Sequence, residues 1–441
     1  MIYIGVFFCI AMATIAIITE KKIFNPLTVF GVLWMLILGL SSLRLFNLRV
    51  ASEETYSIIL SGICAYAVGY YLIRIFIGNK SFVLNTARYS NKEVIYLLRY
   101  KLLYILGGVC ILFYLYDFSI VFSYLLKGNS LGYIRELAQD SNSVIYSSRS
   151  AIENAVRVLL VTPFVMALQP LVAVDFWIGK RDKKLIIINI IIITLRVVTD
   201  GSRVLIIYLL LHLLVAYQFT DSKHLKKATV ISKKKVKQVM LILGISVMGG
   251  YALYKTTLSR SGENFVRYLY YYFSMEPYMF ETWSNIVDSA GIKGYGLASI
   301  NGFLFAFFYV VKNFLGLSNY PEYWYNIYSL IGATDSQWQV IAGDATIANA
   351  YVSIFWFLYL DGGVTGIIIG MSIYGMICAK TYLNAKNKKT AKSICVYSII
   401  LQGVCFSFVR LQFADIYYAI AVLFILIFAY KKVIIKQCKI Q

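Results

Sequence analysis

MIYIGVFFCIAMATIAIITEKKIFNPLTVFGVLWMLILGLSSLRLF (1–46) holds two apolar blocks parted by Glu20, Lys21 and Lys22. Each block approaches the roughly 20 residues that a helix needs to cross the hydrocarbon core of a bilayer. The blocks are continuous, not alternating, so they read as helices and not as the strands of a barrel. The lysines between them mark a connection that faces the cytoplasm. The first block reads as a membrane helix and not as a signal peptide. No basic residue precedes it, and Ala11-Met12-Ala13, which resembles a cleavage site, lies inside it.

Working outward, similar blocks recur near 55–77, 102–126, 151–178, 185–200, 203–219, 239–257, 362–380, 394–412 and 415–430, eleven in all. Hydrophobic residues make up 60% of the 441, charged residues 14%, and mean hydropathy is +0.71, which excludes an ordinary soluble domain. The expected fold is all-α, a polytopic bundle of about 11 spans (13 if 297–317 and 346–360 also cross), forming one membrane domain over 1–441. The basic connections 20–22, 74–101, 180–184, 221–238, 380–392 and 431–439 hold 28 of the 42 Lys and Arg and alternate in parity with the spans. That pattern places the N-terminus outside and the C-terminus in the cytoplasm. The net charge of +21 is therefore a property of the inner face, suited to anionic lipid, and does not imply nucleic acid. No cysteine falls in the long outer loop, so no disulfide framework is expected there.

The kind of cation differs between the faces. Outside the basic connections stand 4 Lys but 10 Arg, among them Arg44, Arg49, Arg196, Arg203, Arg260, Arg267 and Arg410. Lysine suffices as a topology signal, whereas the guanidinium fork grips phosphate or carboxylate. Pairing with outer carboxylates accounts for about half of such arginines. Arg196 has Asp200 four residues on, Arg267 has Glu263 four before, and Arg410 has Asp415 close by. Arg203 opens a span after the turn Asp200-Gly201-Ser202 and is the better candidate for an external anion, with Arg196 and Arg260 in support.

The stretch 258–345 is the long outer loop, because 318–345 carries no Lys or Arg. Within it, 297–317 is expected to form an interfacial or re-entrant helix, and 346–360, just beyond, another. Of its 88 residues 22 are aromatic, densest in YLYYYF (268–273) and YPEYWYNIY (320–328). A belt at the lipid interface accounts for single aromatics. The two clusters together suggest a groove for glycan, with Tyr271, Tyr272, Trp283 and Trp324 as contacts. There is no P-loop, dinucleotide fingerprint or Cys/His metal spacing, and neither His212 nor His224 lies on the outer face. The first outer connection has Glu53-Glu54 but no spaced acidic pair, so no metal and no other cofactor is expected.

FNPLTVFGVLWMLILGLSSLRLF (24–46), TDGSRVLIIYLLL (199–211), RYLYYYFSMEPYMFETW (267–283) and NAYVSIFWFLYLDGGVTGIIIGMSIYG (349–375) together resemble the Wzy-type polymerases of O-antigen and capsular polysaccharide, with their GT-C-like polymerase/ligase architecture. The Arg-x10-Gly patterns that some members carry in two outer loops are absent here. The resemblance implies a multi-pass protein of the bacterial plasma membrane. It implies an inverting, metal-independent glycosyltransferase acting at the outer leaflet. Donor and acceptor are then oligosaccharides linked to undecaprenyl pyrophosphate, with a flippase and a chain-length regulator as neighbouring partners. Arginines would neutralise the diphosphate leaving group. An outer carboxylate would serve as the base, and Glu276 and Asp344 are favoured over Glu281, Asp288, Asp335 and Asp361. Asp361, in LDGGVTG, reads more simply as a turn or cap residue. Two alternatives carry different expectations. An O-antigen ligase of this layout would place a His in the long outer loop, which has none, and a lipid-linked oligosaccharide flippase would show two related halves.

If 258–345 is external, cysteines placed at Asn319 and Ser336 will react with a membrane-impermeant thiol reagent on intact cells, while cysteines in 221–238 stay protected. The opposite labelling pattern would reject the topology.

Overall fold

The computed structural model describes residues 1–84, 92–129, 150–200, 204–220, 265–316, 319–343 and 346–436. In chain order its elements are α1 (Ile2–Glu20), α2 (Pro26–Leu43), α3 (Glu53–Leu84), β1 (Lys92–Leu98), α4 (Tyr100–Leu126), α5 (Ala151–Trp177), α6 (Lys183–Asp200) and α7 (Val204–Tyr217). There follow α8 (Phe265–Ser274), α9 (Glu276–Ala290), α10 (Asn301–Leu315), α11 (Glu322–Ser336), β2 (Gln339–Val340), β3 (Ile347–Ala348), α12 (Ser353–Lys388), α13 (Ala391–Cys405), α14 (Ile416–Ile427) and β4 (Tyr430–Lys436). Among the described residues six helices are long and apolar enough to cross a membrane: α1, α2, α3, α4, α5 and α12. Among the described residues α7, α13 and α14 are shorter and also apolar. The chain is a mostly helical, multi-pass membrane protein. The expected span at 239–257 lies outside the described residues.

Local chemistry sets the helix ends. Asn25 caps α2, its side chain accepting from the Thr28 N–H at 2.9 Å, and Pro26 fills the first helical position. A reciprocal Ser150–Glu153 capping box starts α5. One wide π-type turn follows at Arg157–Val161, next to Pro163, which has no N–H to continue the ordinary ladder. Most informative is α12, whose 36 residues are broken at Gly362 and Gly363. Gly363 adopts φ 62°, a left-handed conformation that side chains disfavour. The arm before the break folds back against the arm after it, since a Cβ on Gly366 would stand 2.3 Å from the Leu358 carbonyl oxygen. The expected separate helix at 346–360 is thus the first arm of α12, and 297–317 forms the 15-residue α10.

The chain divides into two compact units. In the first (1–90, 260–388, 400–419), α1 pairs with α2 and α3 packs along α12. The latter two approach to backbone contact: a Cβ on Gly69 would lie 2.0 Å from the Ser372 oxygen, and one on Gly375 would lie 2.2 Å from the Tyr66 oxygen. Small residues allow such approach between membrane helices. At one end of this unit the buried Glu20 carboxylate meets Arg74 at 2.8 Å and Lys386 at 2.6 Å, joining α1, α3 and α12. At the other end the amino terminus bonds Glu53 at 2.8 Å, Arg410 meets Asp335 at 2.5 Å, and segment 47–49 pairs with 341–343. Each contact joins connections of the same expected parity.

In the second unit (91–259, 389–399, 420–441), α4 packs on α6 and α5 on α7. Several of its buried polar groups satisfy one another. Arg157 meets Asp117 at 3.2 Å, Gln169 and Asn189 exchange amide bonds of 2.9 and 3.2 Å, and His212 Nδ1 lies 2.7 Å from Ser398 Oγ. An antiparallel pair departs from the all-helix expectation: β1 and β4 run with Lys92 opposite Lys436 and Leu98 opposite Tyr430. Both segments, KEVIYLL and YKKVIIK, mix β-branched residues with lysine, and sequence reading takes them only as basic connections.

Replacing Glu20 leaves two cations facing each other at the α1–α3–α12 junction. Breaking a buried pair costs about 3 kcal/mol, and the low end of the known range applies because both cations can rehydrate. Glu20→Ala will therefore melt several degrees lower in detergent, and Lys386→Ala less so, because Arg74 remains. Equal melting temperatures for Glu20→Ala and wild type would show the triad to be inert.

Candidate functional site

The site lies in the first unit, where α8 and α9 meet the connection after α2. α8 presents two tyrosine hydroxyls to that connection. Tyr270 accepts from the Leu45 N–H at 3.0 Å and donates to the Leu40 carbonyl at 2.9 Å, and Tyr271 donates to the Phe46 carbonyl at 2.7 Å. From the other side the Arg49 N–H donates to the Ile341 carbonyl at 2.9 Å, and the Gly343 N–H to the Asn47 carbonyl at 3.0 Å. Between these ties Arg44, Phe46 and Asn47 all have left-handed φ, 52°, 55° and 57°. For residues other than glycine that conformation costs on the order of 1–2 kcal/mol each, so the contacts hold the segment in a strained shape.

Glu276, the first residue of α9, acts electrostatically on the same Tyr56 hydroxyl as Arg44. It is fully buried, and neither carboxylate oxygen has a hydrogen-bond partner of good geometry, the Ser353 hydroxyl being the donor beside it. Burial pushes its carboxyl up to about 8, while the nearby Ser353 hydroxyl works in the opposite direction. Ser353, at the start of α12, is itself fully buried and left-handed (φ 62°), and its backbone bridges to Arg410. The Oγ atoms of Ser274 and Ser407 are also buried without partners. Ser407 reaches this neighbourhood through its carbonyl, which accepts from the Ile354 N–H at 2.7 Å. The Tyr56 hydroxyl, 2.9 Å from Ser41 Oγ, lies within electrostatic reach of Glu276, Arg44 and Glu281. A carboxyl whose proton is balanced near neutral pH is suited to exchanging it with a hydroxyl.

The other expected site residues fall in different places. Arg203, Arg260 and Asp344 lie outside the described residues. Arg196 stands on α6, in the second unit. Arg267 donates to Tyr271 Oη at 3.2 Å and Thr346 Oγ1 at 3.0 Å, and its guanidinium sits 5.5 Å from the Tyr271 ring centre. Arg410 pairs with Asp335. Asp361 accepts from the N–H groups of Ala298 and Ser299, both at 2.9 Å, and from the Ser299 hydroxyl, so it closes the turn beside the α12 break. Glu281 caps the start of α3 through the Ser52 N–H, and Asp288 accepts from the Tyr359 hydroxyl.

The proposed glycan contacts need correction. Tyr271, Trp283 and Trp324 are buried, at 3%, 0% and 2% exposure, and pack against neighbouring rings: Trp283 on Trp356, Trp324 on Phe308 and Tyr328. An aromatic-rich run at helical spacing buries one face, and only the fold shows which. Tyr272 keeps an exposed face and lies against Tyr351. Tyr295, Tyr323, Tyr325 and Trp338, which sequence reasoning passed over, are exposed. No family model, curated protein or solved structure matches the chain. A largely apolar groove of about 670 Å³ follows α12 past its break, lined by Ile354, Leu358, Gly366, Gly370, Tyr374 and Phe413.

Burial of Glu276 makes stability depend on pH. The unfolded chain loses this proton near 4.5, whereas the folded protein holds it to about 8. Between those values the native state binds more protons, so stability falls as pH rises and levels off above the folded value. Thermal melts across this window will decline for wild type, and the decline will be shallower for Glu276→Gln. Parallel curves would mean that Glu276 ionises alike in both states.

Proposed function

We propose that the protein polymerises oligosaccharide repeat units carried on undecaprenyl pyrophosphate, by metal-independent inverting glycosyl transfer at the outer face of the bacterial plasma membrane. The observation that supports this most is the buried Glu276 carboxyl, without a hydrogen bond of good geometry, beside arginine-bearing connections. In the proposed reaction the Glu276 carboxylate takes the proton of the acceptor hydroxyl. The hydroxyl oxygen attacks the anomeric carbon of the donor, and the bond from that carbon to the diphosphate oxygen breaks. The growing glycan moves onto the next lipid-linked unit and undecaprenyl pyrophosphate leaves, its charge met by guanidinium groups.

The wider reading keeps about eleven spans with a GT-C-like layout, the N-terminus outside and the C-terminus in the cytoplasm. Asp344 remains the second candidate base, and Arg203, Arg196, Arg260, Arg267 and Arg410 the candidates for the diphosphate. Exposed Tyr272, Tyr323, Tyr325 and Trp338 offer rings on which sugar faces can stack. The groove along α12 has the chemistry of a lipid chain.

In a deletion strain, lipopolysaccharide or capsule banding will show single repeat units, and wild-type protein will restore the ladder. Glu276→Gln keeps the shape but removes the base, so chain extension should fall about 100-fold or more at normal membrane abundance. Absence of any attached polymer in the deletion strain would indicate a ligase, and absence of translocated units a flippase. A wild-type ladder from Glu276→Gln would remove Glu276 from the chemistry.

A further inference from the structure

We infer that the strained connection Arg44–Arg49 is a phosphate-binding loop, in which Arg44 and Arg49 receive the diphosphate headgroup of an isoprenyl lipid; this rests on the proposed lipid-linked substrate. Neither arginine was among the expected diphosphate ligands.

The first support is charge. Arg44 is exposed and makes no hydrogen bond or ion pair among the described residues. Arg49 is exposed and its guanidinium donates to a neutral group, the Tyr278 hydroxyl, at 3.0 Å. A tyrosine orients a guanidinium without cancelling its charge. Two carboxylates on this side bond other groups: Glu281 accepts from the Ser52 N–H, and Glu53 holds the amino terminus. Two guanidiniums thus stand on one short connection with no carboxylate bonded to either among the described residues.

The second support is conformation. Three left-handed residues other than glycine in four positions are unfavourable, and the shape persists because Tyr270, Tyr271, Ile341 and Gly343 bond its backbone from both sides. Such bracing fixes where the two guanidiniums start from, and preorganised donors lose less on binding. The third is position. Tyr271, which holds Phe46, also takes a bond from Arg267, so a third guanidinium borders the loop. The buried carboxyl of Glu276 acts electrostatically on the same Tyr56 hydroxyl as Arg44. A headgroup at the loop would share the surroundings of that hydroxyl with the proposed base. Two forks suit the several oxygens of a diphosphate better than a single phosphodiester.

Binding is measured without turnover, on purified protein in nanodiscs, with undecaprenyl diphosphate, inorganic pyrophosphate and added phosphatidylglycerol as separate probes. Arg44→Ala/Arg49→Ala is expected to weaken undecaprenyl diphosphate binding by about 30-fold or more, with Arg44→Lys/Arg49→Lys in between. Tyr271→Phe, which releases the loop and leaves both arginines, is expected to weaken it several-fold with little change in melting temperature. Pyrophosphate should bind more weakly and show the same loss, and phosphatidylglycerol should not compete. Unchanged lipid affinity in the folded double alanine variant overturns the site. Phosphatidylglycerol competing equally, or pyrophosphate binding as tightly as the lipid, overturns the isoprenyl headgroup as its occupant. Intact binding loss in a protein that makes no polymer would refute the polymerase and leave the loop standing.

Discussion

A lipid tail offers no hydrogen bond to a peptide group, and nearly everything in this protein follows from that constraint. Backbone groups are satisfied within helices, so the chain becomes a bundle. Side chains that carry polar atoms into the bundle find one another: Gln169 with Asn189, His212 with Ser398, Arg157 with Asp117. Stronger charge is pushed to the ends, where Glu20 gathers Arg74 and Lys386 and Arg410 meets Asp335.

Glu276 violates this rule. Its carboxyl is as deeply buried as any core residue, yet neither oxygen has a hydrogen-bond partner of good geometry. Its place in the first turn of α9 offers partial relief from the helix dipole, but desolvation prevails. A left-handed Ser353 lies beside it, and three left-handed residues stand in the connection after α2 of the same unit. Strain and unmet polarity gathered in one unit, at one end of its bundle, are what separate this region from ordinary packing.

The break in α12 shows how tertiary contacts turn local weakness into architecture. Gly362 and Gly363 permit a bend, and Asp361 directs it by drawing in the N–H groups of Ala298 and Ser299. The first arm then lies back along the second, bringing Ser353 to Glu276 and leaving the groove that Gly366 and Gly370 help to line.

Hydropathy and the placement of lysine made the membrane class, most helices and the pairing of connections legible, because these depend on each segment's own exchange with lipid or water. The turn role of Asp361, in LDGGVTG, was likewise within reach of sequence. Partners were not. Arg49 and Tyr278 are 229 residues apart, β1 and β4 come from distant connections, and Trp283 and Trp324 share with exposed tyrosines the composition that marks an aromatic cluster. Burial of a given ring, neutralisation of a given arginine and isolation of a given carboxyl are set by what the folded chain brings against it. Linear pattern reports the solvent a segment prefers, and only three-dimensional contact decides which of its groups are left unsatisfied and therefore able to act.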